Sequence, residues 1–125
     1  MSLFEKKDWI MHSGEKSDFK LECDALTDED LETLAYLISK KFTFFDVRGV
    51  PTGGMRLANK LAKYIKGGDK FLIVDDVLTT GKSMEKARSP YFRQYRDKII
   101  GIVIFARGEC PDWVRPIFDM SKWEE

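Results

Sequence analysis

Two hydrophobic periods alternate along these 125 residues. Short apolar runs at 42–47, 71–74 and 99–105 are rich in aromatic and β-branched residues and read as strands, the last two buried and 71–74 covered on both faces. Between them the apolar positions take helical spacing. Leu31, Leu34, Ala35 and Ile38 mark one face of a helix near 28–40, which opens with Thr27 and Asp30 in a capping arrangement. Leu57, Ala58, Leu61, Ala62 and Ile65 mark a second helix near 55–66. Met84 and Ala87 begin a third near 82–95, which Ser89-Pro90 is expected to break or restart. A short strand is expected upstream at 19–23, and the aromatic, proline-punctuated run 110–118 predicts a final short strand and a cap on the core. This alternation predicts an α/β fold with a mostly parallel sheet, its strand order left open.

Chemistry concentrates where the second strand ends. Phe71, Leu72, Ile73 and Val74 lead into Asp75 and Asp76, and residues 77–83 then form a turn of small and hydroxyl residues before a helix. Ligands of open α/β sheets gather at the carboxyl edge of the strands, where backbone N–H groups of a turn and helix start can hold a dianion. A second strand, Gly-rich turn and helix occurs at Arg48-Gly49-Val50-Pro51-Thr52-Gly53-Gly54. Glycines let the backbone approach an anion closely, and Arg48 brings a fork of donors for phosphate oxygens.

Gly81-Lys82-Ser83 invites comparison with a nucleoside-triphosphate loop, but that loop needs Gly five positions before Gly81, where Asp76 stands. A phosphoacceptor receiver domain carries paired acids after its first strand, with most of the domain still to follow. Only 49 residues follow Asp76. The run of apolar residues, two acids, two apolar residues, Thr79-Thr80-Gly81 and Ser83 two places on resembles instead the PRPP motif of type I phosphoribosyltransferases.

The resemblance implies a three-layer α/β fold with a small N-terminal hood, and a role for each matching residue. Asp75 and Asp76, taken as the catalytic pair, would face the ribose hydroxyls and stabilise positive charge as the C1–O bond breaks. Val77, Leu78, Thr79, Thr80, Gly81, Lys82 and Ser83 would wrap the 5-phosphate, and Arg48, Gly49, Thr52, Gly53 and Gly54 would hold pyrophosphate. Mg²⁺ would be held mainly by oxygens of the substrate, since it keeps several waters and takes few protein carboxylates. The implied reaction moves ribose 5-phosphate from PRPP to a base with release of pyrophosphate.

Within that family the chain is most similar to orotate phosphoribosyltransferases. Ser13-Gly14-Glu15-Lys16-Ser17 matches their Ser-Gly-x-x-Ser segment, with His12 where a pyrimidine-contacting Lys commonly stands, and Arg107 follows a strand as their base-contacting Arg does. His12 and Arg107 are therefore the implied base contacts, and a pyrimidine-like base the implied acceptor. Purine-salvage relatives place an Asp where this chain has Thr79. Orotate enzymes also insert a strand and a mobile catalytic loop before the PRPP strand, whereas here Ile65 is followed by Lys66-Gly67-Gly68-Asp69-Lys70 and then the strand. A catalytically weak PRPP- or nucleotide-binding module is the alternative that this omission raises.

Composition narrows the remaining classes. Lys plus Arg and Asp plus Glu both number 21, so no global positive field recruits nucleic acid. Apolar stretches fall far short of a membrane span, the N-terminus lacks a signal-peptide core, and Cys23 and Cys110 lack metal-ligand spacing, so a reducing cytoplasm is expected. The length suits a single domain, 1–125, with a small core. Trp9, Trp113 and Trp123 are candidates for that core or for a homodimer surface.

Overall fold

The computed structural model describes residues 4–5, 9–10, 16–17, 20–21 and 23–121. Its contacts gather into two compact units, Met1–Asp30 and Leu31–Glu125. In the first, β1 (Phe4–Glu5) and β4 (Lys20–Leu21) pair antiparallel, as do β2 (Trp9–Ile10) and β3 (Lys16–Ser17). The strand expected at 19–23 is shorter than read: Cys23–Ala25 is a 3-10 turn, closed by the Leu26 N–H donating to the Cys23 carbonyl at 3.0 Å.

Helix α1 (Asp28–Lys41) starts as its sequence dictates. The Asp30 N–H donates to Thr27 Oγ1 at 3.0 Å and the Thr27 N–H to Asp30 Oδ2 at 2.8 Å, a reciprocal capping box. Acids fill its first turn, Lys40 and Lys41 its last, both matched to the helix dipole.

The second unit is a four-stranded parallel sheet in the order β5 (Phe44–Gly49), β6 (Lys70–Leu78), β7 (Ile99–Ala106), β8 (Val114–Asp119). Side-chain alternation sorts its two faces. Leu72, Val74 and Ile102 share the face of Gly49, where a β-carbon would lie 2.9 Å from Ala58 Cβ of α2 (Met55–Leu61). Phe71, Ile73 and Gly101 share the other, where α3 (Lys82–Tyr95) places Met84, Tyr91 and Tyr95. Glu32 of α1 pairs with Lys60 and Lys63 beside α2, so α1 lies on the α2 face and the unit has three layers.

This placement has a topological result. Both crossovers, β5 to β6 through α2 and β6 to β7 through α3, step in the same direction across the sheet, but on opposite faces. One of the two is therefore left-handed, against about 98% right-handed among such units.

Three local expectations change. β6 does not stop at Val74 but runs to Leu78, so both aspartates lie inside a strand. Pairing with β7 continues through Asp75–Val103, Val77–Phe105 and Leu78–Ala106, and this tertiary ladder outweighs the poor strand propensity of Asp. Arg48 and Gly49 belong to β5 rather than to the loop after it, paired with Ile73 and Val74. Finally, Pro90 neither breaks nor restarts α3, which is continuous to Tyr95. An interior proline costs about 3 kcal/mol. Beyond it, Tyr91 and Tyr95 put their rings 4.7 and 5.2 Å from that of Phe71, and Tyr95 lies 5.3 Å from Phe45. Burying each such aromatic contributes roughly 1.5–3 kcal/mol, enough to offset the proline.

The other end of α3 is tied to the sheet. Glu85 accepts the Trp113 indole N–H at 2.9 Å and pairs with Arg88, whose guanidinium lies 4.4 Å from the Trp113 ring centre. Trp113 thus packs against the core over Gly101. Trp123 lies outside the described residues, as does the side chain of Trp9.

Candidate functional site

β6 outruns β5, whose last pair is Gly49 with Val74. Past that point the aspartates themselves take up main-chain donors: Asp75 Oδ1 accepts the Asp76 N–H at 2.8 Å, and Asp76 Oδ1 accepts the Val77 N–H at 2.7 Å. Strand alternation then starts the two side chains toward different loops, while their carboxyl ends stay close enough to share a hydrogen bond.

Asp75 faces the 77–83 turn. A notch of about 30 Å³ is lined by Asp75 and residues 77–84, which include Val77, Leu78, Thr79, Thr80, Gly81, Lys82 and Ser83. It has room for one small group rather than a whole nucleotide. Gly81 adopts the left-handed region, φ +85°, that lets the chain swing from strand to helix, and α3 starts there without a side-chain cap. Its first-turn N–H groups therefore point toward the notch with the positive end of the helix dipole behind them. Thr80 Oγ1 accepts the Lys82 N–H at 3.4 Å, a long contact.

Asp75 is 6% exposed and is the only buried charged side chain among the described residues. Burial, followed by its hydrogen bond with the Asp76 side chain, raises its carboxyl to about 7 from the usual 3.8.

Asp76 faces the second loop. A β-carbon on Gly53 would lie 2.5 Å from Asp76 Oδ2, and one on Gly54 would lie 2.2 Å from the Val74 carbonyl oxygen. Gly54 is therefore needed for this loop to close against β6, and Gly53 for the Asp76 carboxylate to keep its position. The Val50 N–H donates to Val74 O at 2.9 Å and the Gly54 N–H to Val50 O at 2.8 Å, and the Pro51–Thr52 peptide is cis. Thr52, Gly53 and Gly54 thus stand beside Asp76 at the start of α2.

A third segment braces the cradle. The Arg107 and Gly108 N–H groups both donate to the Leu78 carbonyl, at 2.8 and 3.3 Å, and a β-carbon on Gly108 would fall 1.9 Å from the Thr79 oxygen. Arg107, half-buried, is thereby held next to the 77–83 turn. Gly108 was not among the site residues read from sequence; its one signal was a glycine directly after a strand end.

These loops hang from the carboxyl ends of adjacent parallel strands, and the arrangement has close structural counterparts. Orotate phosphoribosyltransferase from Aeropyrum pernix superposes with a TM-score of 0.71 at 20% identity, over 95% of this chain and 89% of that one. The chain has a type I phosphoribosyltransferase fold. The orotate phosphoribosyltransferase of Mycobacterium tuberculosis H37Rv, solved with inorganic phosphate, matches at 0.65 and 14% identity over 94% and 88% of the two chains. The xanthine-guanine-hypoxanthine phosphoribosyltransferase of Helicobacter pylori matches more distantly, at 0.52 and 16% identity, over 73% and 90%. At these identities the likeness is one of fold. No protein-family model and no curated protein matches the sequence.

On this phosphoribosyltransferase fold Arg48 stands apart from the other residues read for the pyrophosphate loop. Its side chain lies on the α3 face, not the α2 face of Gly53 and Gly54. There its guanidinium donates to Asp46 Oδ1 at 2.9 Å and to the Val47 carbonyl at 3.1 Å, and its carbon lies 6.0 Å from the Phe71 ring centre. A hydrogen bond with Tyr91, together with Asp46, holds it charged beyond its usual range. The Val47 N–H is bound in turn by Asp46 Oδ1 at 2.8 Å, and the Lys66 N–H donates to the Phe44 carbonyl at 3.0 Å. Val47 thus has both main-chain groups satisfied by neighbouring side chains on the open side of β5, which blunts a bare strand edge.

That edge is bare because residues 66–69 connect α2's 3-10 extension (Ala62–Tyr64) directly to β6, with no strand outside β5 among the described residues. His12 lies outside the described residues. So do Ser13 and Gly14, whereas Lys16 and Ser17 form β3.

For a divalent cation the donor set is thin. Among the described residues no cluster of three acidic, His or Cys side chains could hold a metal. Asp75 and Asp76 alone suit Mg²⁺ only as partners to oxygens that arrive with a ligand. No helix among the described residues is long and apolar enough to cross a membrane.

Proposed function

We propose that this chain binds PRPP across the edge of β5, β6 and β7 and transfers its ribose 5-phosphate to a pyrimidine-like base, releasing pyrophosphate. The observation that carries this reading is the division of labour within β6: adjacent aspartates turn one to the small notch of the 77–83 turn and the other to a glycine loop. A ribose spanning that gap would set its hydroxyls against the aspartates.

The 77–83 turn and the α3 start would hold the 5-phosphate through N–H and hydroxyl donors. Gly49, Thr52, Gly53 and Gly54 would receive pyrophosphate, with Arg48 joining them only by leaving Asp46 and Tyr91. Arg107, fixed beside the cradle by the Leu78 carbonyl, would meet the base, with His12 as the second proposed base contact. Asp76, joined by Asp75 once its proton is lost, would stabilise positive charge at C1 as the bond to the leaving group lengthens. Asp75 and Asp76, with oxygens of the substrate, would hold Mg²⁺, which would supply charge neutralisation for pyrophosphate. Thiols at Cys23 and Cys110, rather than a disulfide, go with a cytoplasmic setting.

The short 66–69 connection favours a second reading, a PRPP- or nucleotide-binding module with little turnover. A covering loop excludes water and completes the charge-stabilising shell late in the reaction, so lacking one should lower the rate more than the binding. Calorimetry with PRPP and Mg²⁺, paired with a pyrophosphate-release assay over a panel of bases, separates the two. Turnover with a pyrimidine supports the transferase, and binding without turnover on any base leaves the module. If neither PRPP nor a mononucleotide binds, both readings fail.

A further inference from the structure

Equal totals of acidic and basic residues over the whole chain conceal a local excess. Residues 82–98, which form α3 and the 3-10 turn Arg96–Lys98, hold six Lys and Arg against two acids. The helical period sorts them further. Lys82, Lys86, Ser89 and Arg93, spaced by four, three and four residues, fall on one stripe of α3, and all four are exposed. Met84, Tyr91 and Tyr95 face the sheet on the opposite side, and α3 is the one helix on its face among the described residues of this unit. The stripe is therefore the outermost line of that surface, about 16 Å long at the rise of an α-helix.

These charges are spare. Among the described residues no carboxylate pairs with Lys82, Lys86 or Arg93. Glu85, the one acid inside α3, is taken up by Arg88 and the Trp113 indole, and Asp97 lies beyond the last turn of the helix. Beside the stripe, Arg88 and Arg96 set their guanidinium carbons 4.7 and 5.3 Å from the Phe92 ring centre. Cations thus overlie the aromatic ring on that flank.

That chemistry selects the occupant. A protein interface or a membrane-bound helix needs an apolar centre, whereas the phosphate backbone of a nucleic acid needs positive charge and a row of N–H and O–H donors. Lys82, Lys86, Ser89 and Arg93 are all donors, with no apolar side chain on their line. We propose that the outer face of α3 binds the phosphate backbone of a nucleic acid, without regard to base sequence. Lys82 also borders the 77–83 notch, so Lys86 and Arg93 carry the test, which does not depend on the function proposed above.

Fluorescence anisotropy of the full chain with labelled mixed-sequence probes, a single-stranded RNA and a duplex DNA, reads the contact and tells which form is preferred. At least one should bind with a dissociation constant of about 10 μM or tighter at about 50 mM salt, weakening steeply as salt rises. Lys86→Gln/Arg93→Gln should raise that constant at least about tenfold and lower the salt slope by about one for each residue. Lys40→Gln/Lys41→Gln, which removes the same charge from the end of α1, should stay within about twofold of wild type. Absence of binding to both probes, or a control that weakens as much as the α3 variant, overturns the proposal. Displacement by a mononucleotide at matched ionic strength also overturns it, since the contact would then lie in the cradle. Equal or tighter binding to polyglutamate or to anionic phospholipid vesicles does so too, by making the surface one for an acidic protein or a membrane. Should the α3 variant lose its circular dichroism, amide NMR of the wild type with the tighter probe gives the reading: shifts must gather over residues 82–98, and shifts gathered elsewhere overturn the proposed surface.

Discussion

The carboxylate of Asp76 occupies the space that a side chain on Gly53 would need, with Oδ2 2.5 Å from the position of the absent β-carbon. Glycine at 53 is thus a condition for the position of Asp76. Gly53→Ala should swing that carboxylate off its bond to the Val77 N–H, leave the circular dichroism unchanged, and raise the KM for PRPP, or its dissociation constant, at least about tenfold. An unaltered affinity would show that Asp76 does not touch the ligand.

Asp75 sets a pH dependence with a definite sign. Its folded carboxyl titrates near 7 rather than 3.8, so the folded chain holds a proton that the unfolded chain releases. Stability is fullest below about pH 4 for this group and falls as pH rises toward 7, by at most about 4 kcal/mol. Asp75→Asn should abolish that slope and melt higher than wild type at about pH 8. It should also bind PRPP more weakly, because an amide is a poorer acceptor for ribose hydroxyls than a carboxylate. Thermal melts across pH, with calorimetry in two buffers to count released protons, check both halves. A wild-type slope that persists in Asp75→Asn would assign the titration to another group.

Arg48 separates two roles. If it serves mainly the open edge of β5, Arg48→Gln should leave inhibition by pyrophosphate within about twofold while promoting aggregation, since the Val47 carbonyl loses its donor. If it leaves Asp46 to meet pyrophosphate, inhibition should weaken about tenfold or more, with solubility unchanged. Inhibition constants and light scattering on the same preparation decide between them.

Pro90 is an exposed interior helix residue that two tyrosines hold in place. Pro90→Ala should restore a main-chain donor and stabilise the chain by about 1–3 kcal/mol without affecting PRPP binding. Chemical denaturation measures it, and a loss of stability would mean that the ring itself packs usefully.

Much of this architecture was legible locally. The α1 cap, the helical stripes and the apolar runs follow from neighbours a few residues apart, and the extents of α1 and α3 match the expectation to within a residue. What escaped was set by contacts distant in sequence. Asp75 and Asp76 read as a strand end because only the ladder with β7 keeps them extended. Pro90 read as a break because Phe71 and Phe45, which anchor the far half of α3, come from two other strands. The fork of Arg48 matched an anion loop by type, yet strand parity turned it to the opposite face.

The bare flank of β5 also says where this scaffold tolerates change. The cradle, the glycine loop and the Arg107 brace hang from the carboxyl ends of β5, β6 and β7, while the turn at 66–69 sits at the amino ends of β5 and β6, where the Lys66 N–H meets the Phe44 carbonyl. A strand grafted at that turn would cover the flank in place of the Asp46 and Arg48 side chains, give α2 and α3 crossovers of one hand, and leave the 77–83 turn and the glycine loop where they are. Such an element could be gained or shed without rebuilding the loops at the other end of the strands.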